Sequence, residues 1–217
     1  MCGILGYRSD APTTEHLELL RRLAFESSVR GLHAFGWGWS WSRESPAIQT
    51  FLHRDEWIAH LDRLFAGHPP TRLIGHCRYS TSGDWQSPTN NQPLYQDGVA
   101  LAFNGTIDMG TKAEMECRHH TSLATENDGE LALQQLREGG AAQLLRWLPA
   151  LATFAGVWLD QQGLWALRNE QRPLWQATRH DRSAVVLAST QDILTRAGVT
   201  EAQWRVLALS PLVVSSS

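Results

Sequence analysis

From Phe35 to Trp41 the chain alternates bulky and minimal side chains without a break: Phe35, Trp37, Trp39 and Trp41 stand against Gly36, Gly38 and Ser40. A side-chain period of two is the period of a β-strand. The aromatic rings then share one side, which reads as one buried strand face; a stacking platform is the alternative. A strand of this kind needs a partner strand and a cover. Ala47 to Leu52 is placed to pair with it. Asp55 then opens an amphipathic helix carrying Ile58, Leu61, Leu64 and Phe65, closed by Gly67 and the Pro69-Pro70 break.

The rest of the chain follows the same logic. Cys2 to Tyr7 is a short apolar strand. Thr13 or Thr14 caps a helix with Leu17, Leu20, Leu23 and Ala24 on one face and Gly31 beyond its end. Arg72 to Tyr79 reads as a strand, followed by a long polar loop from Ser80 to Pro93. Long loops in compact domains tend to be functional. Gly98 to Phe103 is a strand that stops at Asn104-Gly105, a strong turn dipeptide. Helices are expected over 128–137 and 141–148, and strands over 153–159, 164–168, 174–177, 184–188 and 204–209. Strands, then helices, then strands predict layered α+β and not a doubly wound sheet.

Length and composition bound the function. The chain has 217 residues, 42% hydrophobic and 19% charged, which suits one globular domain over 1–217. A formal charge of -3 gives no reason to expect nucleic-acid binding. No apolar run is long enough to span a membrane, and the chain opens without a signal-peptide pattern, so a cytoplasmic location is expected. Three cysteines, at positions 2, 77 and 117, show no CxxC spacing, which argues against a disulfide framework or zinc knuckle. Cys77 reads as a small core residue. Cys117-Arg118-His119-His120 fits no metal-ligand spacing, and His33, His53, His60, His68 and His180 are scattered surface or core positions.

Cys2 is the most informative residue. A small side chain after Met1 invites removal of the methionine. The mature chain would then begin with a thiol beside its own free α-amine, which is partly neutral at physiological pH and able to take the thiol proton. Gly75-His76-Cys77-Arg78-Tyr79-Ser80-Thr81-Ser82-Gly83 places an arginine and hydroxyls at a strand end, and arginine is the natural partner of a carboxylate. Asn104 and Gly105 offer an amide side chain and an unhindered backbone N–H, the donors an oxyanion hole needs. Asp128 is a carboxylate at a helix start, where simple capping is the competing explanation.

These segments together resemble the class II glutamine amidotransferases, which are N-terminal-nucleophile hydrolases. Met1-Cys2-Gly3-Ile4-Leu5-Gly6 is similar to their opening, and Arg30 to Gly36 to their Arg-Gly loop. Residues 75–83 are similar to their GHxRxxTxG motif, and Asn90-Asn91-Gln92-Pro93 to their N-x-Q-P segment. Asn104-Gly105 resembles the HNG turn, and Asp128-Gly129-Glu130 the D-[ST]-E piece. Arg168-Asn169, Arg172-Pro173-Leu174 and Ala188-Ser189-Thr190 complete the series in family order.

The resemblance implies a four-layer αββα sandwich and hydrolysis of the L-glutamine side-chain amide through a Cys2 thioester. Asn104 and Gly105 would bind the oxyanion, and Arg78, helped by Thr81, the α-carboxylate. Asp128 would bind the α-ammonium, and Arg30 would support the nucleophile. It implies no cofactor and no metal. The ammonia would pass to a separate synthase. A self-sufficient γ-glutamyl amide hydrolase and a non-catalytic binding module are the alternatives. Four positions depart from the family pattern: Phe103 for His, Cys77 for Thr, Ser82 for a frequent His, and Gly129 for the hydroxyl residue.

Overall fold

A computed structural model describes residues 1–81, 83–179 and 181–200, with the backbone of two further strands, 204–206 and 212–214. Ser82, His180 and the Leu207-to-Leu209 end of the last expected strand lie outside the described residues.

The first half of the chain runs β1 (Gly3–Arg8), α1 (Thr14–Ser28), β2 (Ala34–Ser40), β3 (Ala47–Phe51), α2 (Arg54–Phe65), β4 (Arg72–Arg78), β5 (Leu94–Gln96) and β6 (Val99–Thr106). The second half runs α3 (Lys112–His119), α4 (Gly129–Trp147), β7 (Thr153–Leu159), β8 (Leu164–Arg168), β9 (Trp175–Thr178), β10 (Val185–Ala188), α5 (Gln191–Arg196), β11 (Trp204–Val206) and β12 (Leu212–Val214). Seven strands form one antiparallel sheet in the order β11-β9-β10-β1-β4-β2-β3. Five form a second in the order β12-β8-β7-β6-β5.

Alternation assigns each strand face to a layer. Leu5, Tyr7, Leu73, Cys77, Phe35 and Trp37 point to the helices α1, α2 and α5 and make one core. Their neighbours Ile4, Ile74, Val185 and Leu187 point the other way and meet Ala100, Ala102, Ala155, Val157 and Ala166 of the second sheet. Leu101, Phe103, Phe154 and Trp158 form a third core under α4. The architecture is the expected four-layer αββα sandwich. The period-two strand sits where both of its faces are used. Trp37 stacks on Trp57 of α2 with ring centroids 4.5 Å apart, while the glycines face the inter-sheet layer. There a Cβ on Gly38 would come within 2.9 Å of Ile74.

Several expected boundaries change. β6 does not stop at Asn104-Gly105 but runs through both to Thr106, paired with Thr153 to Ala155 of β7. The turn lies earlier, at Asp97-Gly98, where both residues have positive φ and close the β5–β6 hairpin. The two expected helices at 128–137 and 141–148 are present as the two halves of α4, separated by a kink where Gly139 and Gly140 have non-helical dihedrals. Helices α3 and α5 were not expected: each is short, and α3 buries only Met115. Cys77 is a core residue, as its strand position implied.

Trp57 lies between Phe35 and Trp37, fully buried, and its backbone carbonyl accepts from the Trp37 indole N–H at 2.8 Å. Its own indole N–H has no partner among the described residues. Trp57→Ala should therefore lower unfolding free energy by about 3–5 kcal/mol. Trp57→Phe, which keeps a ring and removes the orphaned donor, should cost much less. Urea denaturation of both variants checks this.

Candidate functional site

The strand register brings the sequence-derived residues to one end of the inter-sheet layer. Gly3 pairs with Cys77, so Cys2 lies beside Arg78, the last residue of β4. Cys2 shares its face with Ile4, Arg78 with Ile74, and Asn104 with Ala100 and Ala102, all on the inter-sheet side. His76 lies one row inward and faces the Phe103 backbone.

The thiol is held by a backbone peptide. Tyr79 N–H donates to Cys2 Sγ at 3.5 Å, and Sγ–H reaches the Tyr79 carbonyl at 3.6 Å. Burial pushes the Cys2 thiol up. The Tyr79 hydrogen bond, the chain's amino terminus, Arg78 and Arg30 each pull it down, without reversing the shift. Arg30 Nε donates to the Cys2 carbonyl at 3.0 Å, so it holds the backbone of that residue while its charge acts on the thiol. Two residues on, Ser189 Oγ accepts from Ile4 N–H at 2.7 Å, which fixes the start of β1.

Arg78 is buried, and its guanidinium donates to Asn91 Oδ1 at 2.6 Å and to the Gly83 carbonyl at 3.3 Å. Burial lowers its pKa, while the negative charges of Cys2, Asp84, Asp128 and Glu126 oppose that shift and so lie within electrostatic reach. Asn91 also donates to the Trp85 carbonyl at 2.8 Å, tying Arg78 to the 80–87 loop. Thr81 is exposed and makes no hydrogen bond among the described residues.

Asp128 does not cap its helix. It has helical dihedrals and no capping bond. Its Oδ2 instead accepts from the N–H groups of Ile107 at 2.7 Å and Asp108 at 3.2 Å, while Asn127 Oδ1 takes the N–H of Gly129. Burial raises the Asp128 pKa, and the two backbone donors only partly offset it. Behind it, the Asp108 carboxylate is bound by Arg118, the Gly110 N–H and His119. Those bonds outweigh burial and bring Asp108 down to about 2. Arg118 and His119, which the Cys-Arg-His-His run placed near a doubtful metal motif, are thus partners of a carboxylate.

The amide of Asn104 is buried and makes no side-chain hydrogen bond among the described residues, so its donors are available. Gly105 admits no other residue, because a Cβ there would overlap the Thr153 carbonyl. Asn169 holds that strand end, accepting from Phe154 N–H at 3.0 Å and donating to the Ala152 carbonyl at 2.7 Å. Gln92 Oε1 accepts from Phe103 N–H at 2.6 Å, and Asn90 joins the loop to Glu126 and Asn127. His76 is buried, and neither ring nitrogen is within hydrogen-bonding geometry of a partner among the described residues; burial together with Arg78, opposed by the Phe103 backbone, pushes it down to about 3. It packs as a neutral ring.

The contributions of Asn91, Asn169 and Ser189 were not assigned from sequence. Their motifs were visible, but their partners lie far away along the chain.

No family model matches the chain. It is 33% identical over 138 residues to amidophosphoribosyltransferase from Mycobacterium bovis, covering 54% of this chain and 25% of that protein. A glutamine–fructose-6-phosphate aminotransferase (isomerizing) from Rhizobium leguminosarum bv. viciae is 29% identical over 152 residues, 64% of this chain and 23% of the relative. These alignments span about a quarter of the relatives' length. Among solved structures, glutamine phosphoribosylpyrophosphate amidotransferase from Bacillus subtilis superposes with TM-score 0.68 at 18% identity, covering 96% of this chain and 49% of that one. A glutamine aminotransferase class-II domain protein from Silicibacter pomeroyi superposes with TM-score 0.53 at 13% identity, covering 96% and 100%. In fold the chain is similar to the class II glutamine amidotransferase domains of these structures, and over part of its length it is similar in sequence to the amidophosphoribosyltransferase and the aminotransferase.

Two departures from the family pattern are physically coupled. A Cβ at Gly129 would stand 2.5 Å from Cε1 and 2.6 Å from Cδ1 of Phe103, whose buried ring stacks on Phe154. The phenyl ring occupies the room a hydroxyl residue would need. Gly129→Ser should cost about 1–3 kcal/mol through overpacking. Phe103→Ala should cost less in the Gly129→Ser background than in the parent. A double-mutant cycle in urea should give a coupling of about 1 kcal/mol or more; strict additivity would break the link.

Proposed function

We propose that this chain works as one glutaminase unit that hydrolyses the side-chain amide of L-glutamine to glutamate and ammonia, with the ammonia passed to a separate acceptor-amidating synthase. The observation that carries this reading is the pair of buried opposite charges, Arg78 and Asp128, beside a thiol at the second residue. Glutamine presents a carboxylate and an ammonium on one carbon, and that pair is complementary to both. Asn91 aligns the guanidinium, and the two backbone donors hold one carboxylate oxygen of Asp128 so that the other is left for the ammonium.

With Met1 removed, the α-amine of Cys2 takes the thiol proton. The raised thiol pKa keeps the resting sulfur protonated, so this transfer is coupled to attack. Sγ adds to the amide carbon of glutamine. The oxyanion is received by Asn104 Nδ2 and the Gly105 N–H, and one such donor is worth about 3–4 kcal/mol in a transition state. Collapse breaks the C–N bond. The α-ammonium returns its proton to the departing nitrogen, which leaves as ammonia from a γ-glutamyl thioester. Water then adds to the thioester with the α-amine as base, and the same donors hold the second oxyanion until glutamate is released and the thiol restored.

The test begins with mass. Active protein expressed from Met1 should weigh one methionine less than encoded, and a glutamine-analogue diazoketone should label Cys2 and neither Cys77 nor Cys117. Cys2→Ala should abolish glutamine hydrolysis while the fold persists. Retention of Met1 in active enzyme, or labelling at Cys77, overturns the mechanism. Activity that rises only with a candidate synthase supports ammonia delivery, whereas full activity on other γ-glutamyl amides points to a self-sufficient hydrolase.

Asp128→Asn should separate recognition from architecture. Loss of the ammonium partner should cost about 2–5 kcal/mol in kcat/KM for glutamine, with a much smaller loss on the des-amino analogue. Its stability should move the other way. A carboxylate whose pKa is raised by folding costs stability above that raised value and costs nothing below the ordinary carboxylate value, where folded and unfolded chains both hold the proton. Asn keeps an acceptor for Ile107 and Asp108. Asp128→Asn should therefore be at least as stable as the parent at pH 7, with the advantage vanishing on acidification, as read by denaturant titration across pH.

A further inference from the structure

The imidazole of His33 sits at a junction that the reaction scheme above does not use. It stacks on Tyr79 with centroids 5.1 Å apart and planes 23° apart, and on Trp85 at 5.5 Å and 22°. Its Nδ1 accepts from the Ser80 N–H at 2.9 Å. A backbone N–H can only donate, so Nδ1 carries a lone pair and the ring's proton is on Nε2. The His33 N–H in turn donates to the Arg78 carbonyl at 3.0 Å. His33 therefore grips three consecutive residues, 78 to 80, through backbone or ring, and a fourth, Trp85, on the far side of the loop.

Those residues carry the site. The Tyr79 peptide holds the Cys2 sulfur through both its N–H and its carbonyl. Ser80 Oγ donates to the Gly83 carbonyl at 3.0 Å, the oxygen that also receives Arg78. Trp85 is tied through its own carbonyl to Asn91, the residue that aligns the Arg78 guanidinium. Tyr79 is 51% exposed, and the ring stack that it makes among the described residues is the one on His33. Gly31, two residues before His33, lies against the Arg78–Tyr79 backbone, where any side chain would collide.

We propose that His33 is a positioning residue for the glutamine site. Its ring, stacked between Tyr79 and Trp85 and accepting from Ser80, sets the 79–85 segment so that the Tyr79 peptide meets the thiol and Gly83 meets Arg78. This rests on the reading that Arg78 binds the glutamine carboxylate. The two functions of the ring are separable by substitution. Asn returns a short acceptor without an aromatic face, and Phe returns the face without an acceptor.

The experiment compares His33→Ala, His33→Asn and His33→Phe in the full chain by glutamine kinetics, and by chymotryptic cleavage after Tyr79 and Trp85. His33→Ala should raise KM about tenfold, the loss expected for one well-placed hydrogen bond, with a smaller change in kcat. Cleavage after Tyr79 or Trp85 should speed up by a similar factor. His33→Asn should recover most of the KM, and His33→Phe most of the protease resistance but not the KM. An unchanged KM in His33→Ala, or equal damage in all three variants with a common fall in melting temperature, overturns the proposal. If the parent turns over no glutamine, the proposed reaction fails separately; the protease arm then decides His33, and cleavage no faster in His33→Ala overturns it.

Discussion

The face-to-face packing of the two sheets is the constraint on which everything else depends. Small residues, glycine at 36 and 38 on one sheet and alanine at 100, 102, 155 and 166 on the other, leave room between the sheets for Ile4, Ile74, Val185 and Leu187. Large rings are exported to the outer faces, where Trp37, Trp57, Phe103 and Trp158 pack against helices. At the rim of that layer Cys2 and Arg78 stand side by side at the ends of β1 and β4, Arg78 buried and Cys2 partly so. Charge interactions at such a rim act at low effective dielectric, which is where fixed donors are most useful to a reaction.

The fold was legible where side-chain size alternated and illegible where a local signal competed with long-range pairing. The aromatic–glycine alternation of β2 identified a strand with its rings on one buried face. Asn104-Gly105 reads as a turn by dipeptide chemistry, yet β7 lies alongside and Asn169 holds that end, so tertiary pairing keeps both residues extended. Asp97-Gly98 supplied the real turn with the same chemistry seven residues earlier. Helix α3 carries mostly polar residues, so its periodicity was too weak to see.

The candidate site divides in the same manner. Cys2, Arg78, Asn104, Gly105 and Asp128 were visible because each lies in a short motif, and the structure places Cys2 beside Arg78 and Asp128 within electrostatic reach of it. Thr81 lies in such a motif too, but it faces solvent. What the motifs do not convey is how each group is held. Asn91 reaches back to Arg78, Ser189 binds the start of β1, and the carboxylate of Asp128 turns away from its helix to two N–H groups some twenty residues earlier. Phe103 and Gly129 look like two separate losses in the sequence and prove to be one exchange of volume in space.

The break at Gly139-Gly140 divides α4 into two arms of unequal duty. The first arm carries Asp128 at its head and Glu130, which accepts from the Ala124 and Thr125 N–H groups; the second packs Leu144 and leaves Leu145 exposed. A continuous helix transmits bending and twisting along its length. Two successive residues off the helical dihedrals, one with φ of 64°, interrupt that transmission.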